Sequence, residues 1–186
     1  MPKFISSEAL VINKQSRKEG DLLITLLTPS LGKINCLARG VKTLKSRRLG
    51  HLEIGTIIKT SLFDNNSFYW LSETESISAF LHTSSSLSQI NLLFYFLEIV
   101  NKLLPFEQKQ SELYQIVIGG VESISQNRYS TFIKQEMMFL DKLGYGLPTE
   151  ITLSFDKEDY KLTQDLIKKF CESIIEKPLH SHKLFH

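Results

Sequence analysis

The chain has 186 residues, of which 42% are apolar and 23% are charged, values that are ordinary for a folded globular protein and argue against extended disorder. Its most apolar stretch, residues 90–104, is too short and too polar to span a bilayer, and we expect no signal peptide because the N-terminus lacks an apolar run. Two cysteines, Cys36 and Cys171, are too few for a disulfide framework, so a cytoplasmic protein is predicted.

Positive charge is concentrated at the start of the chain, although the total formal charge is only +2. Residues 1–52 carry ten Lys or Arg residues against three acidic residues, a net charge of +7, which leaves −5 for residues 53–186. This asymmetry is typical of a protein with one end that binds a polyanion and another that is neutral or acidic. A nucleic-acid surface is therefore expected in the first part of the chain.

The first 80 residues have the pattern of short β-strands. Runs rich in β-branched and apolar residues alternate with turn residues, and the stretch Asp64–Ser67 is a strong turn because Asp and Asn tolerate left-handed backbone. The predicted strands are residues 11–14, 22–28, 34–38, 54–63 and 68–71. Five short strands predict a small barrel, and five is the number in the oligonucleotide-binding (OB) fold, although an SH3-like barrel would have a similar pattern.

From about residue 84 the apolar residues recur at helical spacing. Pro105 ends the first predicted helix, Gly144 is a candidate C-cap of the third, and Asp156 is a candidate N-cap of the fourth. Gly119 and Gly120 interrupt the second helix or allow close helix packing. The predicted helices span residues 87–104, 111–124, 129–143 and 156–177, with a short closing helix at 179–186.

The order of these elements predicts an α+β protein. We expect an N-terminal five-stranded OB-fold barrel over residues 1–80 as the nucleic-acid-binding domain. An all-helical domain over residues 81–186 follows it, and we expect that domain to bind protein partners.

The most informative stretch is residues 32–48, which contains six basic residues and no acidic residue. A strand followed by a basic loop is how a small barrel follows a phosphate backbone, because each cation displaces condensed counterions. A second basic loop lies between the first two predicted strands. Alternative roles for these cations are simple solubility or a membrane-surface patch. The candidate binding residues are Lys14, Arg17, Lys18, Lys33, Arg39, Lys42, Lys45, Arg47 and Arg48.

Other candidate sites have weaker patterns. The aromatic cluster at residues 68–70 is interpreted as core and turn packing rather than as a surface for base stacking. His180 and His182, with Cys171 upstream, lack the further ligands of a tetrahedral metal site, and Glu73 and Glu75 have no metal or nucleophile beside them. No phosphate-binding loop, dinucleotide-binding glycine pattern or serine nucleophile motif is present. We therefore predict a protein with no catalytic site, no metal and no cofactor.

Several segments together carry a family pattern. A Gly-Asp pair at residues 20–21 precedes a Thr-containing strand at 25–28, and a Gly-Lys turn at 32–34 leads to an Ala-Arg-Gly loop at 38–42 and a basic run at 45–47. Residues 140–148 and 179–184 add a helix end and a closing segment. In these features the chain resembles the RecO family of DNA repair proteins over nearly its whole length, closely over residues 8–50 and loosely elsewhere.

The resemblance implies that the N-terminal OB fold binds single- and double-stranded DNA. It also implies a recombination mediator that anneals complementary strands and helps to load the RecA recombinase onto DNA coated with single-strand-binding protein. The implied partners are RecR and the acidic, hydrophobic C-terminal tail of the coating protein, which the helical domain would bind. Such a protein is expected in the cytoplasm, in association with the nucleoid.

One departure from the family pattern is evident. Many members follow the Leu-Gly-Tyr-x-x-Pro segment with a four-cysteine zinc module, whereas here the chain passes from Pro148 through residues 149–155 directly into the next predicted helix. A compact family member without zinc is therefore expected. Two alternatives from the residues themselves are a protein adaptor whose helical half is the active surface, and an RNA-binding barrel.

Overall fold

The computed structural model of the chain describes residues 3–17, 20–41, 47–65, 68–80, 85–109 and 111–181, with the backbone alone for residues 47–49. The chain divides into two compact units. The first contains Met1–Ser84 and Pro105–Tyr114, and the second contains Ser85–Leu104 and Gln115–His186. The domain boundary predicted near residue 80 stays a prediction. In the structure the first unit continues to Ser84, and the later segment Pro105–Tyr114 also groups with it.

The first unit is an OB-like barrel of five strands, as the sequence predicted. The strands join in the order β1-β2-β3-β5-β4, and β4 pairs again with β1, so the ring of hydrogen bonds is closed. The pairing of β3 with β5 is parallel, whereas the other pairs are antiparallel. The bounds are β1 Lys3–Ser16, β2 Leu22–Thr28, β3 Gly32–Ala38, β4 Thr56–Asp64 and β5 Tyr69–Ala79, with a 3₁₀ helix at Arg47–Leu52 between β3 and β4.

The barrel core explains why the alternation of β2 is blurred. All but one of the β2 residues are buried, because this strand is covered on both faces. A register shift between Val11 and Asn13 lets the long strand β1 pair with β4 through its first half and with β2 through its second. Each large apolar side chain in this core contributes about 1.5–3 kcal/mol through its burial. The core residues include Ala9, Val11, Ile24, Leu26, Ile34, Cys36, Ile58, Leu62 and Leu71.

The segment Pro105–Tyr114 packs on the barrel at the turn between β2 and β3. The N–H of Glu107 donates to the carbonyl of Lys33 at 2.9 Å, and the Tyr114 hydroxyl donates to Oε1 of Glu8 at 2.6 Å. Gly32 has φ +71°, and a Cβ at this position would lie 2.1 Å from the carbonyl oxygen of Gln108. Only glycine allows this close approach of two backbones.

The second unit is helical. Its core brings the ring of Phe96 within 5.3 Å of Phe132 and 6.2 Å of Phe139, measured between centroids. A Cβ on Gly120 would lie 2.6 Å from the Phe96 ring, so the glycine pair in the second helix allows close packing. The helices are α1 Leu87–Leu103, α2 Ser111–Ser125, α3 Tyr129–Lys142, α4 Thr149–Asp156 and α5 Tyr160–Ile175. Among the described residues, no helix is both long and apolar enough to cross a bilayer.

The sequence misplaced the start of the last long helix. Asp156 ends the short helix α4, which was not predicted, and Asp159 is the N-cap of α5, where its side chain accepts the N–H of Leu162 at 3.1 Å. The prediction for Gly144 was right, since it follows the end of α3 with φ +86°. Of the closing helix predicted at 179–186, residues 182–186 lie outside the described residues.

Candidate nucleic-acid interface

Two connections of the barrel lie together at one end. Leu22 at the start of β2 pairs with Ala38 at the end of β3, so the β1–β2 connection and the beginning of the β3–β4 connection are neighbours at this end, which we call the loop end. Trp70 near the start of β5 pairs with Leu37 and therefore lies beside it. A side-chain hydrogen bond fastens the two connections, because Oδ1 of Asp21 accepts the N–H of Gly40 at 2.8 Å.

The structure brings Arg17 and Arg39 to this loop end. Arg17 is exposed, and its backbone N–H donates to the carbonyl of Asp21 at 2.9 Å. Arg39 is also exposed, and its guanidinium carbon lies 3.9 Å from the centroid of the Trp70 ring. Such stacking holds the guanidinium in place while its N–H groups stay available at its edge. The two basic loops of the sequence thus belong to one surface in their described parts.

Lys14 lies near the end of β1, but its charge is offset. The Lys14 ammonium forms an ion pair with the carboxylate of Glu53, which precedes β4. Both side chains are partly exposed, so the pair stabilises the fold by about 1 kcal/mol at most. A phosphate has to compete with Glu53 for this lysine, and Lys14 is therefore a weaker candidate than the two arginines.

Lys33 lies apart from the other candidates. It is at the beginning of β3, whereas Arg39 follows its end, and six residues of strand separate them by about 20 Å. The side chain is only 3% exposed, and its ammonium lies 4.0 Å from the centroid of the Phe106 ring. Burial lowers the pKa of Lys33 to about 8. We leave Lys33 out of the interface, because its side chain is buried against Phe106. The sequence alone did not show this contact.

The remaining candidates are only partly described. Lys18, Lys42 and Lys45 lie outside the described residues, and for Arg47 and Arg48 the structure gives the backbone of the 3₁₀ helix. This helix is held against the barrel, since Leu52 is fully buried and Nδ1 of His51 lies 3.0 Å from the carbonyl oxygen of Thr74. A role in DNA binding stays a prediction for all nine residues.

A row of aromatic side chains lies beside the loop end and was missed by the sequence analysis. Phe4 of β1 pairs with Phe63 of β4, which pairs with Trp70 of β5, so the three side chains share the outer face of these strands. Phe4 and Phe63 have ring centroids 5.1 Å apart. A hairpin centred between residues 66 and 67 would have paired Phe63 with Trp70, but the turn predicted at 64–67 is centred one residue earlier. Tyr69, in contrast, packs against the core, as the sequence interpretation expected.

The helical unit contains a separate pocket. It has a volume of about 480 Å³ and lies among α1, α2, α3 and α5. Two cations, Arg128 and Lys168, and one acidic residue, Asp165, lie at its lining together with uncharged polar, apolar and aromatic side chains. The lining residues include Leu92, Tyr95, Ile124, Tyr129 and Phe132.

Glu136 is buried behind this pocket. Gln164, which lines the pocket, donates from Nε2 to Oε2 of Glu136 at 3.0 Å. Full burial raises the pKa of Glu136 to about 7. The Tyr95 hydroxyl and Oε1 of Glu136 are buried and find no hydrogen-bond partner in the described part of the chain. The described residues include no cluster of His, Cys, Asp and Glu side chains that could hold a metal ion.

Comparison with known proteins identifies similar sequences. Residues 1–80 match the family model described as "Recombination protein O N terminal". The DNA repair protein RecO of Roseiflexus sp. (strain RS-1) is 28% identical over 141 residues, 75% of this chain and 50% of that protein. The protein of the same name from Clostridium novyi (strain NT) is 28% identical over 147 residues, 77% of this chain and 57% of the relative.

The chain is similar to RecO proteins over about three quarters of its length. A third relative, the DNA repair protein RecO of Dehalococcoides mccartyi (strain ATCC BAA-2266 / KCTC 15142 / 195), is 27% identical over 77% of this chain and 58% of its own length. The chain thus spans 50–58% of the length of the RecO proteins it matches. Among solved structures, the match to Entamoeba histolytica asparaginyl-tRNA synthetase has a TM-score of 0.35 at 10% identity. It covers 68% of this chain and 33% of that chain, and a score this low does not establish a shared fold.

Proposed function

We propose that this chain acts in DNA repair as a recombination mediator and binds single- and double-stranded DNA through the loop end of its barrel. Its similarity to proteins that are named DNA repair protein RecO supports the process. The Asp21–Gly40 hydrogen bond, which holds the two basic loops together, is the observation that carries the assignment of the surface.

The proposed mechanism is electrostatic. Cations at the loop end neutralise phosphates of two strands and so reduce the repulsion that opposes their annealing. In the cell, the same activity would help to load RecA onto DNA coated with single-strand-binding protein. The protein supplies a surface for this process and performs no covalent chemistry.

The surface is tested by fluorescence anisotropy with a labelled single-stranded oligonucleotide over a range of salt concentrations. If about six phosphates are contacted, log K falls with log[salt] with a slope near −4, about −0.7 for each contact. Arg17→Gln together with Arg39→Gln is expected to make the slope shallower by about 1.4 and to weaken binding to all sequences alike. Lys59→Gln is the matched control, because Lys59 is exposed on β4 between two acidic residues.

Two outcomes would favour other functions. Unchanged binding by the double variant would refute the surface, and DNA affinity no better than that of a neutral control protein would favour a helical adaptor. Equal competition by RNA would favour an RNA-binding barrel. Annealing of oligonucleotides precoated with single-strand-binding protein, with and without the chain, tests the mediator role itself.

We also propose that the helical pocket binds the C-terminal tail of single-strand-binding protein. Arg128 and Lys168 suit the acidic groups of such a tail, and the apolar lining suits its hydrophobic side chains. A tail peptide is expected to bind the wild-type chain, and Arg128→Glu with Lys168→Glu is expected to abolish binding. A scrambled peptide of equal composition is the control, and equal binding of both peptides would refute the proposal that the pocket binds the tail.

RecR is a further proposed partner, on the ground of the resemblance to RecO proteins alone. Co-sedimentation of this chain with purified RecR tests it.

A further inference from the structure

The outer face of β1, β4 and β5 is ordered into rows by the strand register. Side chains paired across the three strands lie side by side, and each step of two residues along β1 and β4 begins another row. On β5 the step from the first row to the second is three residues, because the register shifts between Ser61 and Leu62. The first row is aromatic, the second is polar and the third is charged. The rows are Phe4, Phe63 and Trp70; Ser6, Ser61 and Glu73; and Glu8, Lys59 and Glu75.

The aromatic row has the size and exposure of a binding platform. Neighbouring strands are about 4.8 Å apart, so three rings cover about 10 Å across the sheet. Phe4 is 69% exposed, and Phe63 and Trp70 are half-buried. Phe68 extends the row beyond Trp70, with its ring centroid 6.1 Å from the Trp70 ring. A row of adjacent aromatic rings with one ring exposed and two partly accessible indicates an interaction site, since exposed apolar patches are otherwise kept small.

The position of Arg39 joins this platform to the loop end. Its guanidinium lies on the Trp70 ring, so Arg39 and the aromatic row form one continuous surface. The rows beyond it carry Glu73, Glu75 and Glu8, whose charges repel phosphate. We therefore expect a nucleic-acid backbone to avoid these carboxylates and to lie at the aromatic row and Arg39.

We propose that Phe4, Phe63 and Trp70 form a stacking platform for the unpaired bases of a single DNA strand, with the strand's phosphates at the loop end. The proposal rests on the DNA-binding function proposed above and names the form of DNA that the surface selects. Bases in a duplex are stacked on one another and cannot reach the rings, so the platform distinguishes single strands from duplex. A base stacked on an open sheet face keeps its pairing edge exposed, which suits a strand that is to be annealed.

Trp70 provides a direct test because it is the only tryptophan in the chain. Its fluorescence is expected to be quenched by oligo(dT) and left unchanged by a blunt duplex of the same length. Phe4→Ala and Phe63→Ala are each expected to weaken oligo(dT) binding about tenfold while duplex binding stays the same. Ile77→Ala is the matched control, because Ile77 is an apolar side chain on β5 that is 53% exposed and lies away from the row.

The possible results separate this proposal from the proposed function. If anisotropy shows oligo(dT) binding while Trp70 emission and the affinities of both variants stay unchanged, the platform is refuted and DNA binding stands. If the wild-type chain binds neither form of DNA, the proposed function fails as well. Should Phe63→Ala lower the melting temperature of the barrel, Phe4→Ala decides, since the Phe4 side chain is largely in solvent. Quenching by a control acidic protein, but not by oligo(dT), would identify the row as a protein interface and overturn the proposal.

Discussion

The barrel and the helical unit use the same kinds of side chain in two different geometries. At the loop end, Arg39 and three aromatic residues lie on an open sheet face, which suits a long flexible polymer. In the helical unit, Arg128 and Lys168 join aromatic residues around a pocket of about 480 Å³, which suits a chain end. In both units, the combination of aromatic and cationic side chains favours an anionic ligand. The curvature of the surface favours an extended polymer on the barrel and a chain end in the helical pocket.

The two units also differ in the ionisable group that each one buries. The barrel buries Lys33 over Phe106, and the helical unit buries Glu136 near Tyr95 and Gln164. Burial disfavours the charged form of both groups, so it lowers the pKa of Lys33 to about 8 and raises the pKa of Glu136 to about 7. The two units should therefore respond to pH in opposite ways.

The largest effect is expected at the turn of the barrel. In Gly32→Ala, the new Cβ would lie 2.1 Å from the carbonyl oxygen of Gln108 in a left-handed conformation, so a loss of about 3 kcal/mol or more in unfolding free energy is expected. Gly40→Ala is the matched control, because Gly40 has φ +60° but no atom of the described residues lies within 4 Å of a Cβ placed there, and a loss of about 1 kcal/mol is expected. Urea denaturation measures both. Equal losses would show that Pro105–Tyr114 does not pack closely on the barrel.

The second prediction concerns Glu136 in the helical unit. Its folded pKa of about 7 is above the ordinary value of 4.5, so the folded state binds the proton more tightly. Its contribution is fully present below pH 4.5 and is lost as pH rises through about 7, by roughly 3 kcal/mol. Glu136→Gln is expected to remove this pH dependence. Urea unfolding followed by circular dichroism at pH 5 and pH 8 measures the change in unfolding free energy between the two pH values. An equal change in the wild-type chain and in Glu136→Gln would contradict the assignment.

The third prediction concerns Lys33 in the barrel, where the sign is reversed. The folded pKa of about 8 is below the ordinary 10.5, so the charged form costs stability at neutral pH, and stability rises between pH 8 and pH 10.5. Lys33→Met is expected to stabilise the barrel by about 1–2 kcal/mol at pH 7 and to lose this advantage above pH 10. DNA binding should not change in this variant. A clear loss of DNA affinity would return Lys33 to the interface.

The smallest effect is expected at the start of α5. Asp159→Ala removes the side chain that accepts the N–H of Leu162, and a loss of about 1 kcal/mol is expected. Asp156→Ala should cost less, because Asp156 ends α4 instead of capping a helix. Thermal unfolding of the two variants compares them. A larger effect at Asp156 would support the helix start that the sequence predicted.

The sequence by itself determined the main classes of structure in this protein. Alternating apolar residues and strong turns indicated the five strands, and helical spacing indicated the helices from Leu87 onward. The excess of Lys and Arg in residues 1–52 is likewise a property of the sequence, and it predicts a polyanion-binding end. These features are local or additive, so they can be read without knowing which segments meet. The same local reasoning failed at Asp156, because two acidic N-cap candidates lie three residues apart and propensity does not choose between them.

Tertiary structure alone decided which of these residues act together. Lys33 and Arg39 stand in the same basic stretch, yet Phe106 covers one and Trp70 stacks on the other. Phe4 and Phe63 are 59 residues apart in the chain and adjacent on the sheet, because strand register rather than sequence distance sets their separation. Long-range pairing and the return of residues 105–114 to the barrel thus separated the surface cations from the buried one.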